Sequence, residues 1–133
     1  MSTTQSIAVL PFVNMSNDID NEYFCDGITE EIINALTKIN QLKVIARTSS
    51  FAFKGKDIDI REVGNQLGVQ TILEGSIKKS QERVRITAQL IDVKDGTHYW
   101  SKRFDRQLTD IFDLEDDLSW AIADAVRSNF GHF

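Results

Sequence analysis

Cys25, His98, His132 and the acidic run Asp18-Ile19-Asp20-Asn21-Glu22 are where chemistry could begin in this 133-residue chain. A nucleophile–base pair would need Cys25 or a serine to meet His98, with a third group orienting the imidazole. No local motif supports that meeting. Cys25 reads as a small part-buried hydrophobe, His98 as a strand-edge aromatic and His132 as part of a frayed end. The acidic run starts like a calcium loop, but the sixth position, where glycine is needed, is Tyr23, and the twelfth, where glutamate is needed, is Thr29. Phe53-Lys54-Gly55-Lys56 lacks the spacing of a phosphate-binding loop, and no GxGxxG follows the first strand. Asn14-Met15-Ser16 is a glycosylation sequon by pattern, short enough to arise by chance. No catalytic, cofactor-binding or metal-ligating residue is assigned, and no cofactor is expected.

One constellation is left. If the first two strands run parallel, their C-terminal ends share one edge of the sheet, where open α/β sheets take ligands. That edge gathers loop 12–27, with Asp18, Asp20, Glu22 and Asp26, against loop 47–56, with Arg47, Thr48, Ser49, Ser50, Lys54 and Lys56. Two readings compete. The charges satisfy one another and cap the loops, or Asp26, Arg47, Thr48, Ser49, Ser50, Lys54 and Lys56 line a site for a small ligand or peptide. Phe51 and Phe53 read as anchors of the second loop.

The elements that hold this edge follow from periodicity. Ile7-Ala8-Val9-Leu10 is a short apolar run typical of a buried strand, and Pro11, the only proline, cannot donate to a ladder, so pairing fades there. After a polar loop from Asn14 to Asp26, Ile28, Ile32, Ala35, Leu36 and Ile39 fall on one helical face, with Asp26 as N-cap and Glu30 and Glu31 in the first turns. Leu42–Ala46 is a second strand, which implies a right-handed parallel crossover. Asp59 and Glu62 have capping-box spacing ahead of Ile60, Val63 and Leu67, and Gly68 is a left-handed C-terminal stop with Val69 folding back.

From Thr71 the period is two: Val84, Ile86, Ala88 and Leu90 alternate with Arg83, Arg85, Thr87 and Gln89, between strands near 71–79 and near 97–105, giving an antiparallel meander. A two-residue turn at Asp95-Gly96 would leave Leu90 opposite Ser101. A three-residue loop with Gly96 left-handed pairs Leu90 with Trp100 and Ile86 with Phe104, placing the large apolar groups on one face, and is chosen for that reason. A final helix runs from about Asp110 to Phe130, burying Ile111, Leu114, Leu118, Ala121, Ile122, Ala125 and Val126, with Gly131 as its stop. The expected fold is a single α/β domain: βαβα, a three-stranded antiparallel meander and a C-terminal helix on a mixed five-stranded sheet.

Composition sets the bounds. Hydrophobic residues are 41% and charged residues 26%, as in an ordinary folded domain, and one cysteine excludes an internal disulfide framework. The net charge of −5 divides into −5 over residues 1–40, +5 over 41–106 and −5 over 107–133. Overall acidity argues against a nucleic-acid partner. The apolar runs are too short to cross a membrane, and MSTTQS has no signal-peptide character, so no membrane contact by this segment is expected. Cysteine usage leaves the compartment open. The outer meander strand would be an exposed edge through which a dimer could pair.

The string as a whole carries a resemblance. Ile7-Ala8-Val9-Leu10-Pro11-Phe12, Asp26-Gly27-Ile28-Thr29-Glu30-Glu31, Val44-Ile45-Ala46-Arg47-Thr48-Ser49-Ser50-Phe51, Leu73-Glu74-Gly75-Ser76, Val84–Asp92 and Phe104-Asp105-Arg106 follow in one register over about residues 6–128. They resemble the TolB-like amino-terminal domain of bacterial multidomain regulators and, more distantly, the flagellar FlgO domain. The resemblance implies one domain over 6–130, with flexible ends at 1–5 and 131–133, excised from a longer regulator. Such a regulator carries a class III adenylate or guanylate cyclase domain or a winged-helix domain, with tetratricopeptide repeats following. It also implies a non-catalytic protein-interaction module whose partners are another protein or neighbouring domains of the parent chain. The compartment is periplasmic if a transmembrane helix precedes it and cytoplasmic otherwise. The alternative is a sensor of a small-molecule ligand at the strand edge.

Overall fold

Ile7, Ala8 and Val9 are wholly buried, because the strand that carries them is central and covered on both faces. The structure, a computed structural model, describes residues 5–16 and 18–130. Its elements in order are β1 (Gln5–Val9), β2 (Val13–Asn14), α1 (Asn21–Leu36), β3 (Leu42–Val44), α2 (Arg47–Phe51), α3 (Ile60–Leu67), β4 (Thr71–Ser80), β5 (Arg83–Asp92), β6 (Thr97–Gln107), a 3-10 turn at Leu108–Asp110 and α4 (Ile111–Phe130). The sheet order is β3-β1-β4-β5-β6, with β2 also paired to β4. β1 runs parallel to β3 and β4, and β4, β5 and β6 form the antiparallel meander. The expected mixed α/β sheet is therefore present, with six strands rather than five because β2 is added. Gln5, assigned to a flexible end from sequence, opens β1 opposite Leu42. Gly131 and His132 lie outside the described residues.

Pro11 does interrupt the ladder, but pairing resumes. Leu10 still donates to the Leu73 carbonyl at 3.0 Å, and β2 then continues beside β4. Val9 pairs with Leu73 whereas Val13 pairs with Ser76, so the segment between holds one extra residue, as in a bulge. That slip puts Phe12 on the same face as Val9, where both enter the larger core. The Phe12 N–H, diverted from the ladder, donates to the buried Thr29 hydroxyl at 3.0 Å, and that hydroxyl donates to the Cys25 carbonyl at 2.8 Å. The ring lies over Gly75, where a Cβ would press into it and into the Thr87 carbonyl.

The larger core joins Ile7, Val9, Leu73, Ile77, Ile86, Leu90 and Phe104 of the sheet to Cys25, Ile28, Ile32 and Leu36 of α1 and Leu114, Leu118, Ile122 and Val126 of α4. The smaller core, on the other face, holds Ala8, Val63, Val69, Ile72 and Val93 under α3. α3 starts as expected, with the Asp59 side chain accepting from the Arg61 N–H at 2.8 Å. Glu62 does not complete a capping box; it accepts from Gln66 Nε2 at 3.1 Å. Gly68 ends the helix at φ 69°, and Val69 donates back to the Gly64 carbonyl at 3.0 Å.

Three sequence expectations are corrected. Asp26 is no N-cap: α1 begins at Asn21, so Asp26 sits in its second turn and Glu30 and Glu31 lie mid-helix. The start is set by a turn in which Asp18 Oδ1 accepts from the Asp20 N–H at 2.9 Å, and the early buried stripe of Asn21, Cys25 and Ile28 is hidden in the sequence because Asn21 is polar and Tyr23 is exposed. Residues 47–51 form one helical turn, α2, rather than loop. The β5–β6 register pairs Leu90 with Trp100 and Ile86 with Phe104, as chosen, and Gly96 is left-handed at φ 75°. The irregularity, however, falls between Leu90 and Ile91, where Ile91 meets His98 and Tyr99 is the extra residue, so the loop is one residue longer than expected.

Two glycines should respond oppositely to alanine. Gly75→Ala should cost about 1–3 kcal/mol by overpacking Phe12 against Thr87. Gly27→Ala, exposed within α1 with nothing within 4 Å of a new Cβ, should add about 0.5–1 kcal/mol. Urea midpoints of the two variants check this; equal midpoints would contradict the close approach at Gly75.

Candidate functional site

The interruption at Pro11 opens a groove of about 560 Å³ on the α3 side of the sheet. α3 has 8 residues and covers about 12 Å, whereas β4 has 10 and extends about 33 Å. The helix therefore covers only the start of β4, and the rest of that face is open. Leu10, Pro11, Val13, Met15, Phe53, Ile58 and Ile60 form apolar walls, and Glu74, Ser76, Thr87 and Gln89 form a polar floor. Val13 and Met15 are each 58% exposed. Lys54 and Lys56 also line the groove.

The seven residues proposed from sequence do not form one site. Lys54 and Asp26 do meet: Lys54 Nζ donates to both Asp26 oxygens at 2.9 Å and lies 3.1 Å from Glu22. This pairing ties α1 to the segment after α2, holds the Glu22 carboxyl below its ordinary range and raises the Lys54 ammonium. Lys54 and Lys56 both reach the groove. Arg47 is held elsewhere, 3.4 Å from Glu30 and stacked over the Phe51 ring at 4.1 Å. Thr48 and Ser49 are exposed on α2, outside the groove lining. Ser50 is buried, and its hydroxyl has no hydrogen-bond partner among the described residues. Mutual ion pairing thus accounts for Asp26, Arg47 and Lys54, and the two lysines line the groove.

The sequence reading missed the groove floor. Glu74, Ser76, Thr87 and Gln89 are the polar positions of two period-two strands, which ordinarily face solvent. The available signal was length: an eight-residue helix cannot cover ten-residue strands. Chemically, the groove can pack apolar side chains along Leu10–Met15 and Ile58, hydrogen-bond through its floor and pair an anion with Lys56.

Cys25 and His98 are apart. Cys25 is inside the larger core, and burial, followed by the charges of Glu22 and Asp26, pushes its thiol from 9.0 to about 11. His98 is exposed on β6. Among the described residues no helix is long and apolar enough to cross a membrane.

Comparison with known proteins adds three findings. Residues 2–120 match the family described as HilA/YgeH-like transcriptional regulator, second domain. A protein of Rhizobium meliloti (strain 1021) named "Putative adenylate cyclase 3" is 54% identical over 122 residues, 92% of this chain; the chain spans only 21% of that relative's length. Among solved structures, TolB from Acinetobacter baumannii superposes with a TM-score of 0.69 at 17% identity, over 94% of this chain and 29% of TolB. The LpoB C-terminal domain from Salmonella enterica gives 0.63 at 17% identity, over 80% of this chain and 85% of that domain. At those identities the likeness is one of fold, and the fold is TolB/LpoB-like.

The thiol carries a pH prediction. A native value above the ordinary 9.0 means that its contribution to stability is whole below pH 9 and is lost as pH rises towards 11. Urea midpoints measured between pH 9 and 11 should therefore fall less steeply in Cys25→Ala than in the unaltered chain. Parallel slopes would show that the thiol is not desolvated.

Proposed function

The chain belongs to the family of the HilA/YgeH-like transcriptional regulator second domain, and from that premise we propose that it is a non-catalytic regulatory module that docks a protein partner or a neighbouring domain. The observation that carries this reading is the make-up of the groove. Half-exposed apolar walls, a hydrogen-bonding floor and two lysines at one wall suit an extended segment of another polypeptide. The rhizobial relative supports the context, since a matching segment there occupies a fifth of a much longer protein. We extend the reading to a parent regulator with an effector domain of the cyclase or winged-helix kind and tetratricopeptide repeats, within which residues 6–130 act as the coupling domain. Asp26 and Lys54 fix the wall of the docking groove, and Lys56 meets the partner.

A second reading, a small-ligand sensor at the same place, is favoured by volume: about 560 Å³ is within the range of ligand pockets, roughly 300–1,000 Å³. A thermal-shift screen against nucleotides, sugars and amino acids separates the two. No stabilisation is expected, and a ligand that raises the melting temperature and loses its effect in Thr87→Trp would establish the sensor instead.

Output tests the docking reading directly. The chain is placed in the rhizobial relative in place of its matching segment, with and without Thr87→Trp, which fills the groove. Blocking the groove should change cyclic AMP production by about fivefold or more. The isolated chain should make none from ATP. Unchanged output from the blocked chimera, or conversion of ATP by the chain alone, would overturn the proposal.

A further inference from the structure

On the opposite side of the molecule, the α1/α4 layer presents a second surface that the groove does not involve. β6 and β1 run the same way in the sheet, and α1 and α4 each run back across it, so the two helices are parallel to one another. Between them lies a furrow of about 480 Å³ floored by Ala35, Ile39 and Ala123, with Trp120 along one wall. Trp120 is 66% exposed and Phe112, two turns before it, 78%. A tryptophan left in water on an otherwise amphipathic helix is the residue type that most often anchors an interface.

The charges along the furrow are polarised. Glu31, Glu115 and Asp116 lie at the end nearer the helix N-termini, and Lys38 and Arg127 at the other. Glu115 is partly desolvated beside Glu31 and Asp116, and its carboxyl is raised accordingly. Trp120 lies between the two ends. At a rise of about 1.5 Å per residue, Glu115 is about 7.5 Å on one side of it and Arg127 about 10.5 Å on the other. Arg127 reaches back over the indole at 5.9 Å. A surface that is acidic at one end, basic at the other and aromatic at the middle complements itself when turned by a two-fold axis.

We propose that the α1/α4 furrow is the interface of a symmetric homodimer, with Trp120 of each copy at the two-fold axis and the acidic end of one furrow against Lys38 and Arg127 of the other. The helices of the two copies then run antiparallel, and each Trp120 packs on the small floor of the opposite furrow.

The strand edge is the poorer route to a dimer. β6 exposes Lys102 and Arg103, with Arg106 partly exposed, and its neighbour β5 exposes Arg83 and Arg85. Antiparallel pairing of two β6 edges would bring Lys102 and Arg103 of both copies together, and basic side chains on an edge strand oppose such pairing.

Sedimentation velocity over a concentration series tests this on the full chain, independently of what the groove binds. The unaltered chain should show a monomer–dimer equilibrium. Trp120→Ala and Arg127→Glu should each weaken it at least about tenfold while circular dichroism stays native, since both positions are exposed. The charge-reversed double variant Glu115→Lys/Asp116→Lys should be equally weak alone, yet associate with Arg127→Glu when the two are mixed. A chain that is monomeric throughout, or a dimer that survives Trp120→Ala and is abolished by Ser101→Pro on β6, would overturn the proposal.

Discussion

The one-residue slip beside Pro11 takes the backbone N–H of Phe12 out of the ladder, and much of the structure is arranged around that constraint. A buried donor without a partner costs about 1–3 kcal/mol, so the Thr29 hydroxyl of α1 supplies one. That single bond fixes α1 against the sheet at the point where the first strand breaks. The extra residue then carries Phe12 into the core, and the ring fills the space that Gly75 leaves on β4. Proline, threonine and glycine, distant in sequence, are three parts of one packing solution.

The two faces also differ in how far they are covered. On one face, α1 and α4 together span the sheet and bury Ile7, Val9, Leu73, Ile77, Ile86, Leu90 and Phe104. On the other, the short α3 covers β1 and the first residues of β4, and coverage stops there. Docking α3 closely depends on Gly64 against Val93, so the helix cannot be moved outward along the strands without losing that contact. The open remainder of this face becomes the groove. Its lysine wall is held by ion pairs whose exposed geometry contributes little to stability, about 0–1 kcal/mol each, and whose effect is positional.

Much of the architecture was legible because it rests on local rules. Period-two alternation located β5, the Gly68 stop and Val69 return followed from chirality, and the Leu90–Trp100 register followed from requiring one apolar face. Asp26 was misread because the stripe of α1 begins with Asn21 and Cys25, on either side of an exposed Tyr23 that breaks the apolar pattern. The same reading found Lys54 and Lys56 at the strand edge but took Arg47, Thr48, Ser49 and Ser50 with them. One helical turn at 47–51 sends Ser50 inward and leaves Arg47 facing Glu30, and hydrogen-bonded turns of that length leave no periodic trace.

The sequence by itself determined the fold class, the order of elements and the meander register, because each depends on the spacing of apolar residues along a strand or helix. It also determined that the charge divides into acidic ends and a basic middle. Only the tertiary structure decided which charges meet and which surfaces stay open. Those outcomes depend on how far a helix reaches across a sheet and on where a one-residue slip turns a side chain, distances between segments that no local pattern records.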